Sequence, residues 1–244
     1  MKGVVEACKP REDILQGKAS DEIYAAHLGR VRDGNGPAVY NDPEVFFENT
    51  YATSGLTTVV KETFARLSGK DAGSSFIKLE TSLGGGKTHS LIALFHIAKN
   101  GSKTPGAENL LKGMNFSPVR VAAIIGSEPG VVRTGDEPLT IWGIMAKQLF
   151  GSHGHNKIRP YDDQLTSPGE KALFDLFGKE KCLILIDEMA LYLAKAATVK
   201  VGESTLAKQT IAFLQELSSV SSALTNVVVV ITSLNRESVF RDET

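Results

Sequence analysis

Two apolar patterns alternate along this chain beyond its first 70 residues. Short β-rich runs occur at 76–80, 119–125, 182–186 and 227–232. Between them, at 88–99, 139–150, 167–177 and 206–224, apolar residues recur at helical spacing. Strands that are largely apolar and separated by helices predict a parallel sheet buried on both faces. The expected fold class is therefore α/β, with a mostly parallel four-stranded sheet in a three-layer sandwich.

Upstream of the first strand the pattern is helical. A helix is expected over 20–31, capped by Ser20-Asp21, with Ile23, Tyr24, Ala26, His27 and Val31 on its apolar side. Gly34-Asn35-Gly36-Pro37 ends it in a loop. Asn41-Asp42-Pro43 has the form of an N-cap with proline in the first turn, leading into "EVFFENTY". Over 54–68, Leu56, Val59, Val60, Phe64 and Leu67 fall on one helical face. The segment 151–166, "GSHGHNKIRPYDDQLT", reads as a polar insertion or loop. Residues 1–70 are taken as a helical N-terminal extension and 71–244 as the core.

Composition narrows the picture modestly. The 244 residues are 42% hydrophobic and 23% charged with a net charge of −1, ordinary for a globular protein and not basic enough to imply a nucleic-acid grip of its own. Its two cysteines, Cys8 and Cys182, are far apart, which argues for a reducing compartment and against a zinc site. Cys182 lies in an apolar run and is expected to be a small buried hydrophobe. The charged N-terminus is unlike a signal peptide, and apolar runs of about five residues are far short of the ~20 that span a bilayer. A cytoplasmic protein with no membrane contact is expected.

Candidate chemistry begins at "FIKLETSLGGGKTHSLIALFHIAKN", residues 76–100. A strand, a glycine-rich turn and a helix follow one another, as in the phosphate-binding G-x-x-x-x-G-K-[ST] loop, although Thr81 stands where that pattern begins with glycine. Gly84, Gly85 and Gly86 let backbone N–H groups turn toward phosphate oxygens. The helix N-terminus adds its dipole. Lys87 would reach the β- and γ-phosphates, and the Thr88 hydroxyl would ligate Mg²⁺. His89 is taken with the loop as a nucleotide neighbour, although histidines so placed, like His96 on the same helix, are more often packing residues. A glycine-rich surface turn that happens to contain Lys-Thr is the plainer alternative.

About 100 residues further on, "CLILIDEMALYL" is a buried strand ending in Asp187-Glu188. Such a strand delivers its last residues to the sheet edge where ligands bind in open α/β folds. Asp187 would hold Mg²⁺ through its water shell, and Glu188 would orient and deprotonate the attacking water. The plainer alternative is that the pair caps the next helix. After the strand of "NVVVVITSLNRES", Ser233 and Asn235 are placed to sense a γ-phosphate, with Asn235 taken as a catalytic candidate; a capped strand end explains them equally well. Arg236 and Arg241 are arginine-finger candidates, Glu128 is a candidate nucleotide neighbour or helix cap, and His153 and His155 lie in the polar segment near Asp162 and Asp163.

Several blocks together resemble the N-terminal ATPase region of the AAA-like family catalogued as domain of unknown function 499, found in large prokaryotic proteins often encoded among defence genes. They are "KPREDIL" (9–15), "YNDPEVFFENTYATSGL" (40–56), "LETSLGGGKTHSLIALFHI" (79–97), "PLTIWGIMAKQLFG" (138–151), "SPGEKAL" (167–173), "LILIDEMALYL" (183–193) and "FLQELSSVSSALTNVVVVITS" (213–233). The resemblance implies an ATP-binding, Mg²⁺-dependent, ATP-hydrolysing module. It implies that GGGKT with a non-glycine at the first position is the family's own loop, falling on Gly84, Gly85, Gly86, Lys87 and Thr88, with the Walker B pair on Asp187 and Glu188. The Thr50-Tyr51-x-Thr53 block precedes the first strand, where related ATPases build the adenine pocket, which makes Tyr51 a candidate.

Members of that family are usually much longer. A fifth strand beside the first and a helical lid with a second sensor are therefore expected outside this stretch, so that the chain is a fragment or is completed by a partner. Partners expected by resemblance are further copies of the chain, a larger complex, and DNA-associated proteins of a defence system. The leading expectation is an ATP hydrolase driving assembly or remodelling. The alternatives are a nucleotide-dependent switch or scaffold that hydrolyses only with a partner and, more remotely, a phosphotransferase.

Overall fold

The strand at 182–187 is apolar up to its final Asp187, and all six of its residues are buried. Only a strand with neighbours on both edges and helices on both faces buries in that way. In the computed structural model, which describes Leu15 and residues 25–69, 73–81, 86–130, 135 and 137–234, this strand is one of two central members of a sheet. Named in chain order, the strands are β1 (Phe76–Thr81), β2 (Arg120–Ile125), β3 (Cys182–Asp187) and β6 (Val227–Leu234). They lie in the order β1-β6-β3-β2, and every pairing is parallel. A two-stranded hairpin not expected from the sequence, β4 (Lys200–Val201) with β5 (Ser204–Thr205), stands apart from this sheet.

Side chains alternate between the two faces of each strand. Ala123, Leu183, Leu185, Val228 and Val230 enter one core with the helix α5 (Lys87–Asn100). Ala122, Ile124, Cys182, Ile184, Ile186 and Val229 enter the other, with Trp142 of α6 (Ile141–Gln164), Leu173 of α7 (Glu170–Phe177), Tyr192 of α8 (Met189–Ala196) and Phe213 of α9 (Leu206–Ala223). Cys182 is fully buried, and burial in this apolar setting pushes its thiol up to about 12.

The N-terminal helices α1 (Leu28–Arg32), α3 (Pro43–Glu48) and α4 (Ser54–Leu67) share the first core through Leu28, Phe46, Val60 and Phe64, and α2 (Ala38–Asn41) packs its partly buried Tyr40 against it. The capping read from sequence at Asp42-Pro43 holds, because Asp42 accepts from the Val45 N–H at 3.1 Å. Thr53 caps α4 in the same way. The helix expected over 20–31 needs correction in its described part. His27 is extended and its ring accepts from Arg30 N, so His27 caps a helix that begins at Leu28 and does not lie within one. Ser20, Asp21, Ile23 and Tyr24 lie outside the described residues.

The larger correction concerns 151–166, which is helix through Gln164, not loop. Gly151 (φ 63°, ψ −153°) kinks α6 there, and Gly154, His155, Ile158 and Asp162 of the second segment are buried. Apart from Ile158 the buried face lacks apolar side chains, which hid it from a search for apolar periodicity. Asp162, fully buried, accepts from Leu139 N, Thr140 N (2.8 Å) and Thr140 Oγ1 (2.6 Å) at the start of the same helix. These bonds offset the cost of burying a carboxylate. Helix α7 also starts later than expected, at Glu170 after Ser167-Pro168-Gly169.

Candidate functional site

Parallel strands place the C-terminal ends of β1, β3 and β6 at one edge of the sheet. β1 leads to residues 82–85, which include Gly84 and Gly85 and lie outside the described residues, and the description resumes at Gly86. Gly86 is left-handed (φ 73°), a conformation in which a side chain is strained, and its carbonyl accepts from Ser90 N and Ser90 Oγ in the first turn of α5. This turn carries Lys87 and Thr88 to the sheet edge.

There the Thr88 hydroxyl donates to Oδ2 of Asp187 at 2.8 Å. Asp187 is 5% exposed, and its other oxygen accepts from Thr232 Oγ1 at 2.6 Å and from Glu188 N at 3.0 Å. Sequence reading passed over Thr232 and chose its neighbours. Only the register places it: Ile186 of β3 pairs with Ile231 of β6, so the next residue on each strand falls side by side on the face toward α5. Ser233 lines the cavity described below, and Asn235, Arg236 and Arg241 lie outside the described residues.

Glu188 occupies the N-cap position of α8, yet its side chain makes no capping bond. Its backbone is left-handed (φ 54°, ψ 34°), unusual for a residue with a side chain and found most often where function imposes strain. Its carboxylate is exposed and accepts a 2.5 Å hydrogen bond from Ser127 Oγ, on the turn after β2. Ser127 is the second contributor that sequence reading missed, since only the β2–β3 pairing brings that turn to the end of β3.

A cavity of about 640 Å³ opens over this edge. Lys78, Lys87, Thr88, Asp187, Glu188, Thr232 and Ser233 form its polar side, and Met189, Leu191, Leu193, Leu214 and Ile231 its apolar side. Thr88 and Asp187 offer hard oxygen donors 2.8 Å apart, which suits Mg²⁺, an ion commonly held by one or two carboxylates plus substrate phosphates. Among the described residues no group of three or more His, Cys, Asp or Glu could form a metal cage.

His89 is packed against the N-terminal segment. Its ring lies 4.5 Å from that of Phe46, and Nε2 is 2.9 Å from Thr50 Oγ1. Thr50 gives its own proton to Phe46 O, so His89 Nε2 is the donor. Burial holds the His89 pKa below its usual value. His96 Nε2 donates to Tyr40 O at 2.7 Å, and burial lowers its pKa against the opposing pull of that carbonyl and of Asp42. Tyr51 is 86% exposed, and it is Thr50 of the same block that meets α5. Glu128 is ion-paired with Arg32 at 2.9 Å, and among the described residues it is not the N-cap of a helix. His153 lies on the kinked α6, and His155 Nε2 is 3.3 Å from Asp162. Among the described residues no helix is long and apolar enough to cross a membrane.

Fold and site together define an α/β protein with a hydroxyl–carboxylate cluster at the C-terminal edge of a parallel sheet. The family profile of the DUF499 N-terminal domain matches residues 4–117 and 132–241, and the chain belongs to that family. No curated protein and no solved structure matches it.

Proposed function

We propose that the chain is a P-loop ATPase module of the AAA-like kind, binding ATP with Mg²⁺ and hydrolysing it at the edge formed by β1, β3 and β6. The observation that carries this reading is the Thr88–Asp187 contact at 2.8 Å. A glycine-led helix start and a strand-end carboxylate, 99 residues apart in the chain, meet as a Mg²⁺–phosphate site requires. Bound Mg²⁺ would neutralise charge on the β- and γ-phosphates.

The residues divide the work. Backbone N–H groups of Gly84, Gly85 and Gly86 cradle phosphate, Lys87 reaches the terminal phosphates, and Thr88 and Asp187 hold the metal. Glu188, with one oxygen held by Ser127, orients and deprotonates the attacking water. Asn235 is the proposed γ-phosphate sensor. The conformational change on hydrolysis serves assembly or remodelling in a prokaryotic defence complex, with further copies of the chain and DNA-associated proteins as partners. Those last elements rest on what the resemblance to this family implies.

Glu188→Gln should retain ATP binding and lose turnover by about a hundredfold or more, whereas Lys87→Ala should lose binding. Fluorescent-nucleotide titration and phosphate release on the purified proteins decide this. Normal hydrolysis by Glu188→Gln would remove Glu188 as the base.

A further inference from the structure

We infer that helix α1 controls the setting of Glu188 through the turn after β2, with Ser127 as a positioning residue and the Arg32–Glu128 pair as the clamp that holds the turn. This rests on the reading of Glu188 as the hydrolytic base.

The turn is fixed from both sides. On one side, Arg32 spends Nε and Nη2 on Asp33, at 2.8 Å each, which leaves Nη1 for Glu128 Oε2 (2.9 Å) and for the outward carbonyl of Ala123 on β2 (3.0 Å). Helix α1 sits flush on Glu128, since a Cβ at Gly29 would fall 1.8 Å from Glu128 Oε1. On the other side, Gly126 N donates to Asp187 O at 2.8 Å, and a Cβ at Gly126 would fall 2.2 Å from Glu188 O. Glu128 N closes the turn onto Ile125 O, and Lys195 of α8 donates to Ser127 O.

Ser127 therefore stands between two fixed points, and its hydroxyl holds Glu188 Oε2 at 2.5 Å. Among the described residues Oε2 is the carboxylate oxygen that is bonded, which leaves Oε1 for a water proton. A guanidinium that binds a carboxylate and a carbonyl at once resists displacement better than a single contact would. Movement of α1 carries Glu128 with it, and the turn transmits the displacement to the carboxylate. A small misplacement of a catalytic group is expensive in rate. Helix α1 thus acts as a handle on hydrolysis through this turn, a route separate from the contacts that the N-terminal segment makes with α5 at His89 and His96.

The test pairs turnover with amide exchange. Arg32→Ala and Ser127→Ala should each lower kcat about tenfold, with KM for ATP unchanged. The double variant should be no slower than Ser127→Ala, because both act through one contact. Ser127→Thr should restore turnover. Arg32→Lys, which keeps the charge and stem but not the fork, should fall between wild type and Arg32→Ala. Without nucleotide, Arg32→Ala should speed hydrogen exchange in peptides covering 123–128 and 187–191. Additive losses in the double variant, or unchanged exchange at 187–191, overturn the inference. Wild-type turnover by Glu188→Gln would instead sink the base assignment, and the exchange experiment would still decide whether α1 and Glu188 are coupled.

Discussion

Thr88, in the first turn of α5, donates a 2.8 Å hydrogen bond to Asp187 at the end of β3. Asp187 is the hub of the site, since Thr232 and the Glu188 N–H bond its other oxygen. A buried carboxylate is tolerated only with partners of this kind. Its geometry should therefore respond to each donor.

Thr232→Val keeps the shape and removes one donor. It should cost about 1 kcal/mol of stability in urea unfolding, the usual worth of one hydrogen bond. Asp187→Ala removes the acceptor of the Thr88 and Thr232 hydroxyl protons and should cost more, about 1–3 kcal/mol. It should also abolish the Mg²⁺-dependent part of ATP binding, measured by titration with and without chelator. A Mg²⁺ response equal to wild type would remove Asp187 from the proposed metal site.

The two histidines of α5 predict acid sensitivity. Burial lowers the pKa of His89 and of His96 from an ordinary value of 6.5. The unfolded chain then binds more protons than the folded one below that value, so stability rises with pH there. The stabilising term is fully present above about pH 6.5 and is lost as pH falls through the lowered, folded values. Thermal melts should show a decline below that point, and His96→Asn should flatten it. An unchanged pH slope in His96→Asn would count against the assignment.

Asp162 supports a different element. It stitches the second segment of α6 to the first turn of the same helix through Thr140 and Leu139. Asp162→Ala should cost about 3 kcal/mol, in the range for breaking a buried charged network. Circular dichroism should show lost helix content. Asp162→Asn keeps an acceptor for Thr140 N and should lose roughly half as much. Equal losses in the two variants would show that packing, not hydrogen bonding, fixes the segment.

Sequence alone determined much of this protein. Four β-rich runs became four strands because burial on both faces demands apolar residues throughout, and that demand is local. The Asp42 cap was legible for the same reason, since a side chain and an amide three residues away decide it. Lys87, Thr88, Asp187 and Glu188 stood out because each follows or ends an element whose direction is fixed by its own pattern.

Tertiary structure alone decided the strand order, and with it the company these residues keep. Thr232 beside Asp187, and Ser127 on Glu188, are products of register between strands whose partners lie 45 and 61 residues away. The polar face of α6 and the pairing of His89 with Thr50 are of the same kind. Periodicity reports which face of an element is buried, but not which polar groups wait on the other side of the contact. Those are chosen by packing across the chain, where a hydrogen bond makes a polar residue as buried as an apolar one.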